Sequence, residues 1–138
     1  MAYSYRILVV DDERPMARAL ELKLTREGYE VVVAHNGKQG IEAFEASEFD
    51  VVILDLVMPV MDGFSVLKVL GKKGVRILVC SNLSQREDIA RVRELGASDY
   101  FIKSNTPLHK IVELVQTYIP HQKAEISRIH TKRAILTR

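Results

Sequence analysis

The chain has 138 residues, 47% of them hydrophobic and 28% charged, which suits one globular domain with a real core and is too short for two. No apolar run nears the roughly 20 residues of a membrane span, the start MAYSYRILVV lacks the parts of a secretory signal, and the single cysteine, Cys80, excludes an intrachain disulfide or a paired-cysteine metal site. The expected compartment is the cytoplasm. The net charge of +2 divides into +4 on residues 120–138 and −2 on the rest, so a mildly acidic body carries a basic tail.

Five short apolar runs rich in β-branched residues alternate with five helical patterns. Residues 7–10 predict the first strand. Pro15 opens the first helix and Gly28 ends it, with Met16, Leu20 and Leu24 on one stripe. Residues 31–34 predict the second strand, and residues 37–47 a helix that packs through Ile41 and Phe44. Residues 51–54 predict the third strand, followed by a helix over 64–70 that Gly71 closes. The fourth strand is expected at 77–80. Ser84 and Glu87 have the spacing of a capping box for a helix at about 85–95. Residues 100–102 predict the last strand. Thr106 and Pro107 start the last helix, Leu108, Ile111, Val112, Val115 and Ile119 form its inner face, and Pro120 stops it.

Continuous rather than alternating hydrophobicity suits strands buried on both faces. The pattern therefore predicts an α/β fold, a doubly wound (βα)5 parallel sheet with helices on both sides. Ligands of such sheets bind outside the carboxyl ends of the strands. Past those ends the sequence reads Asp11-Asp12-Glu13, His35-Asn36-Gly37, Asp55, Ser81-Asn82 and Lys103-Ser104. Each residue alone has an ordinary explanation as a cap, a turn residue or a solvated charge. Together they form an acidic cluster with a hydroxyl and an ammonium on one sheet edge. Clustered carboxylates repel one another unless a cation neutralises them. Mg²⁺ is a hard ion that takes carboxylates, waters and phosphate oxygens. A carboxylate in such a site can also attack phosphorus and form an aspartyl phosphate.

The segments ILVVDDE, VVILDLVMPVMDGF, ILVCS and GASDYFIKS, in this order and spacing, resemble the receiver domain of two-component response regulators over about residues 5–119. The resemblance implies a flavodoxin-like sheet in the order 2-1-3-4-5. It implies that Asp11, Asp12, Asp55 and the backbone carbonyl of Val57 hold Mg²⁺ or Mn²⁺, and that Asp55 is the phosphoacceptor. Ser81 and Lys103 then bind the phosphoryl group, and Ser81 and Tyr100 act as the switch. A histidine kinase or phosphotransfer protein is the implied donor. The implied readers are a downstream protein target or output domain, through the face of the fourth helix, fifth strand and fifth helix. Phosphorylation-dependent homodimerisation is open, and direct nucleic-acid or membrane binding by the receiver is not expected. None of His35, His109, His121 and His130 is needed for the chemistry, and Cys80 reads as core.

The chain departs from the family pattern at several positions. Ser104 follows Lys103 where proline is usual, often after a cis bond. A cis bond before serine costs about 2.5–4 kcal/mol, against roughly 0.5–1 before proline. The expectation is a trans bond with a rearranged loop, or a strained cis bond. Asn82 is larger than the usual alanine or glycine, and it either narrows access to Asp55 or donates another hydrogen bond. Val57 and Leu83 are apolar where an acid or amide would orient a hydrolytic water. Val57, Asn82 and Leu83 are therefore the expected lifetime-tuning residues, with a long-lived phosphoryl group as the outcome. The competing readings are a pseudo-receiver that binds partners without phosphorylation, and an aspartate-nucleophile phosphatase. The phosphatase would need a second acid near Asp55 and a cap, and the sequence has neither, so the chain is expected to promote only its own phosphoryl transfer and loss. The expected division is a receiver at 1–120 and a basic linker or helix extension at 121–138, where Ile126, Ile129, Ile135 and Leu136 sketch an apolar stripe.

Overall fold

The computed structural model describes residues 4–119. The strands are β1 (Arg6–Val10), β2 (Glu30–Ala34), β3 (Val51–Leu54), β4 (Arg76–Ser81) and β5 (Asp99–Ile102). The helices are α1 (Arg14–Arg26), α2 (Gly37–Ala46), α3 (Gly63–Leu70), α4 (Arg86–Glu94) and α5 (Leu108–Tyr118). All four strand pairings are parallel, in the order β2-β1-β3-β4-β5.

Between their polar end residues the strands are apolar because both faces are covered. In β1, Ile7 and Val9 join α1 and α5 in one core, and Leu8 and Val10 join the second core with α2, α3 and α4. β3 divides the same way, Val51 and Ile53 against Val52 and Leu54, and all four are 2% exposed or less. Among the described residues no helix is long and apolar enough to cross a membrane.

Several local expectations shift. In α1 the buried stripe is Ala17, Leu20 and Leu24, and Met16 is only partly buried. Gly28 does follow the helix, at φ +97°, where a side chain would be strained. α2 packs closest through Gly40, which brings its backbone against Val10 of β1, and Gly37, which lies against Met61 and against Val66 of α3, whereas Ile41 and Phe44 are partly buried. Ser84 does not cap α4. The helix begins one residue later, its N-cap Gln85 makes no side-chain cap bond, and Glu87 therefore sits at the second helical position instead of the third. Glu87 and Asp88 still place negative charge in the first turn, which suits the helix dipole. α5 begins after Pro107, with Ile111, Val112, Val115 and Ile119 buried and Leu108 partly buried. The stop at Pro120 and the expected tail at 121–138 lie outside the described residues.

Candidate functional site

The two central strands, β1 and β3, end side by side where the winding of the sheet reverses. Backbone bonds continue one residue past each strand: Asp11 N–H donates to the Ala34 carbonyl and Asp55 N–H to the Val10 carbonyl, both at 3.0 Å. These bonds set the two aspartates rigidly at the sheet edge, and both are buried, Asp11 at 3% and Asp55 at 5% exposure. Asp12 is half-buried beside them. One carboxylate oxygen from each of Asp11, Asp12 and Asp55 lies within 4.8 Å of the others.

Lys103 follows β5 and reaches back across the edge. Its Nζ lies 2.9 Å from Asp11, 2.9 Å from Glu13 and 3.2 Å from Asp55, with a side chain only 6% exposed. Burial would lower the Lys103 pKa, but its bonds to Asp11 and Glu13 and the charge of Asp55 outweigh that and raise it. Lys103 is held as a cation. Burial pushes both the Asp11 and Asp55 carboxyls up from the ordinary carboxylate value, and Lys103 only partly opposes this. Asp11, Asp12, Asp55 and Glu13 around one ammonium leave a formal charge of −3 when ionised. Oxygen donors carrying that surplus suit a hard divalent cation.

Ser81 is the last residue of β4 and is fully buried. Its Oγ accepts the Leu83 N–H at 3.4 Å. A cleft of about 280 Å³ is lined by Asp12, Glu13, Asp55, Val57, Ser81, Asn82 and Lys103. Val57 is 58% exposed, and its N–H donates to Asp55 Oδ1 at 3.3 Å. Tyr100, on β5, donates its hydroxyl to the Leu83 carbonyl and so bridges to the loop after Ser81. No peptide bond among the described residues is cis. The Lys103–Ser104 bond is trans, and the chain turns there through a short 3-10 segment, Lys103–Asn105.

Of the strand-end residues read from the sequence, Asp11, Asp12, Asp55, Ser81, Asn82 and Lys103 thus converge. Glu13, read at the first strand end without a role of its own, pairs with Lys103 at the cleft mouth. Gly63 lets α3 start against the Asp55 backbone, since a Cβ there would lie 2.2 Å from the Asp55 carbonyl oxygen. His35 contacts the Asp11 carbonyl through Nδ1 at 3.2 Å and does not line the cleft. The Cys80 thiol is buried and pushed up to about 12 by burial, which makes it a core residue and a poor nucleophile.

Fold and site define a doubly wound α/β protein with a carboxylate cleft capped by lysine at the point where the winding reverses. The response regulator receiver domain model matches residues 7–116. A probable transcriptional regulator, ycf27, of Porphyridium aerugineum is 39% identical over 103 residues, covering 74% of this chain and 43% of that protein. A CheY-like receiver domain protein from Methanospirillum hungatei superposes with a TM-score of 0.81 at 25% identity, covering 89% of this chain and 99% of that one. The response regulator TrrA of Thermotoga maritima, solved in complex with Mg²⁺-BeF, gives a TM-score of 0.73 at 33% identity, covering 83% and 99%. The chain belongs to the response regulator receiver domain family of two-component systems. It spans about half or less of the length of the curated relatives it matches.

Proposed function

We propose that the chain is a phospho-accepting receiver in which Asp55 is the acceptor. The observation that carries this reading is Lys103 Nζ held by both Asp11 and Asp55 in a cleft that Ser81 also lines. An Asp55 oxygen attacks the phosphorus of a phosphohistidine on a histidine kinase or phosphotransfer protein. A P–O bond forms, the P–N bond breaks, and the imidazole keeps the electron pair. Lys103 supplies positive charge to the arriving anion and Ser81 its hydroxyl donor. Asp11, Asp12, Asp55 and the Val57 carbonyl are the residues proposed to hold Mg²⁺ or Mn²⁺. The ion supplies charge neutralisation to the phosphoryl oxygens. The Mg²⁺-BeF complex of the Thermotoga relative supports this assignment.

Tyr100 is the proposed reporter. Its hydroxyl already bridges to the Leu83 carbonyl, so contacts that draw Ser81 and its loop toward a phosphoryl group act on the face of α4, β5 and α5. The phosphoryl group shifts this equilibrium only through contacts that differ between the two states. A downstream target, an output domain or a second copy of the chain would read that face. The proposed receiver unit is residues 1–120, with 121–138 as an appended segment.

Incubation with acetyl phosphate and Mg²⁺, followed by intact-mass measurement, tests the reading. One phosphoryl group should be added, and none in Asp55→Ala or in the presence of chelator. A wild-type protein that takes up no phosphoryl group would support the pseudo-receiver reading instead. Steady turnover of the donor without accumulation on the protein would point to a phosphatase.

A further inference from the structure

The backbone ladder between β4 and β5 ends at the pair Ser81 and Ile102. Just past it, the Ser104 N–H donates to the Asn82 Oδ1 at 2.8 Å. A side-chain carbonyl there continues the connection that backbone carbonyls make along the ladder. A backbone N–H can only donate, so the Asn82 oxygen must face Ser104 and its NH₂ the other way. Both residues are exposed, and water would satisfy either group. Folding does not need this bond, and its position is what gives it consequence. It joins the loop that follows Ser81 to the turn that begins with Lys103, and Asn82, Ser81 and Lys103 line the cleft that holds Asp55. A proline at 104 would have no N–H to donate. An alanine or glycine at 82 would have no side-chain acceptor. Two separate departures from the family pattern thus meet in one hydrogen bond.

We propose that Asn82 and the Ser104 N–H form a clasp that holds the two loops together beside Asp55 and slows hydrolysis of the phosphoryl group. The inference rests on the receiver reading above. In the hydrolysis step water attacks phosphorus, the bond to the Asp55 oxygen breaks, and inorganic phosphate leaves with Asp55 restored as a carboxylate. Asn82 and Ser104 are positioning residues. They keep Ser81 and Lys103 at a fixed separation around the anion, so that water must displace an ordered set of contacts to reach it.

Two measurements on the full chain test this. The first is amide hydrogen exchange at position 104. Asn82→Ala should speed exchange of the Ser104 amide about three- to tenfold, the equilibrium factor of one neutral hydrogen bond. Ser104→Ala keeps the N–H and should leave exchange at 104 slow. The second is the rate of phosphoryl loss after labelling with acetyl phosphate. Asn82→Ala and Ser104→Pro should each accelerate loss by a similar factor, and Ser104→Ala should not. Proline also restricts Lys103, so the decisive comparison is the double variant Asn82→Ala/Ser104→Pro. A shared bond makes its rate fall well short of the product of the two single effects. Unchanged exchange in Asn82→Ala, or rate effects that multiply, would overturn the clasp. A wild type that accepts no phosphoryl group would overturn the receiver reading and with it the effect on hydrolysis. The exchange measurement would still decide whether the bond exists.

Discussion

Replacing Asp55 by asparagine should stabilise the protein when no metal is bound. The carboxylate is 5% exposed and shares the edge with Asp11 and Asp12, with oxygens within 4.8 Å. Two unit charges 4.8 Å apart repel by about 3.5 kcal/mol at an effective dielectric constant of about 20. The repulsion from Asp12 is weaker because that residue is half-exposed. Against this stands the 3.2 Å contact with Lys103, worth about 5 kcal/mol on the same scale. These terms nearly cancel, so the desolvation of a buried carboxylate decides the sign. Lys103 keeps Asp11 and Glu13 in the variant, and no buried cation is orphaned. The expected gain is about 1–2 kcal/mol, or about 3–8 °C in Tm for a domain of this size.

The pH dependence has a definite sign. Burial raises the Asp55 and Asp11 carboxyls in the folded state, so the native protein takes up protons before the unfolded chain does. The contribution of these two groups to the stability of the metal-free wild type therefore grows as pH falls through the raised values toward the ordinary carboxylate value, and is lost again as pH rises through them. The advantage of Asp55→Asn is largest near neutral pH and shrinks on acidification. Mg²⁺ at ten times its dissociation constant should add about 1.4 kcal/mol to the wild type and much less to the variant. Thermal unfolding by circular dichroism, with chelator and with Mg²⁺, measures all of this. A variant that melts below the wild type in chelator would refute the argument, as would equal stabilisation of both proteins by Mg²⁺.

Three further outcomes are expected. Val57→Asn/Leu83→Glu should lose its phosphoryl group faster than the wild type, because both substitutions add groups that can orient water; slower loss, followed by intact mass over time, would contradict this. Gly63→Ala should destabilise by about 3 kcal/mol, the upper end of overpacking, because the new Cβ meets the Asp55 carbonyl oxygen and the Leu56 Cα at 2.2 and 2.5 Å; urea unfolding reads the change. Val60 is 78% exposed and has a φ of 70°, so Val60→Gly should relieve a left-handed strain of about 1–2 kcal/mol. It should stabilise by about 0.5–1 kcal/mol after the entropy of glycine is counted, again by urea unfolding.

The sheet was legible because burial on both faces writes each strand as an unbroken apolar run, and the structure extends those runs by only a residue or so into Arg6, Glu30, Arg76, Ser81 and Asp99. The site was legible because the fold class confines function to strand ends, and Asp11, Asp55, Ser81 and Lys103 are unusual there. Helix detail was less so. Ser84 and Glu87 have the right spacing for a capping box, yet the start of α4 is set elsewhere, since Val92 is the residue its packing buries. Glycine contacts such as Gly40 against Val10 depend on how closely elements approach, which periodicity does not encode. The Lys103–Glu13 pair and the Asn82–Ser104 bond join residues 90 and 22 positions apart. Only the assembled sheet edge brings them together.

The central claim is that Asp55 carries the phosphoryl group, and chemical trapping tests it most directly. Protein labelled with a phosphodonor and Mg²⁺ is treated with borohydride, which reduces an aspartyl phosphate to homoserine, and the modified residue is located by peptide sequencing in a mass spectrometer. The account predicts homoserine at position 55 alone, and none when Lys103 is replaced by methionine or when the metal is chelated. Modification at Asp11, Asp12 or Asp62 in place of Asp55, or phosphate recovered on a histidine, would contradict it.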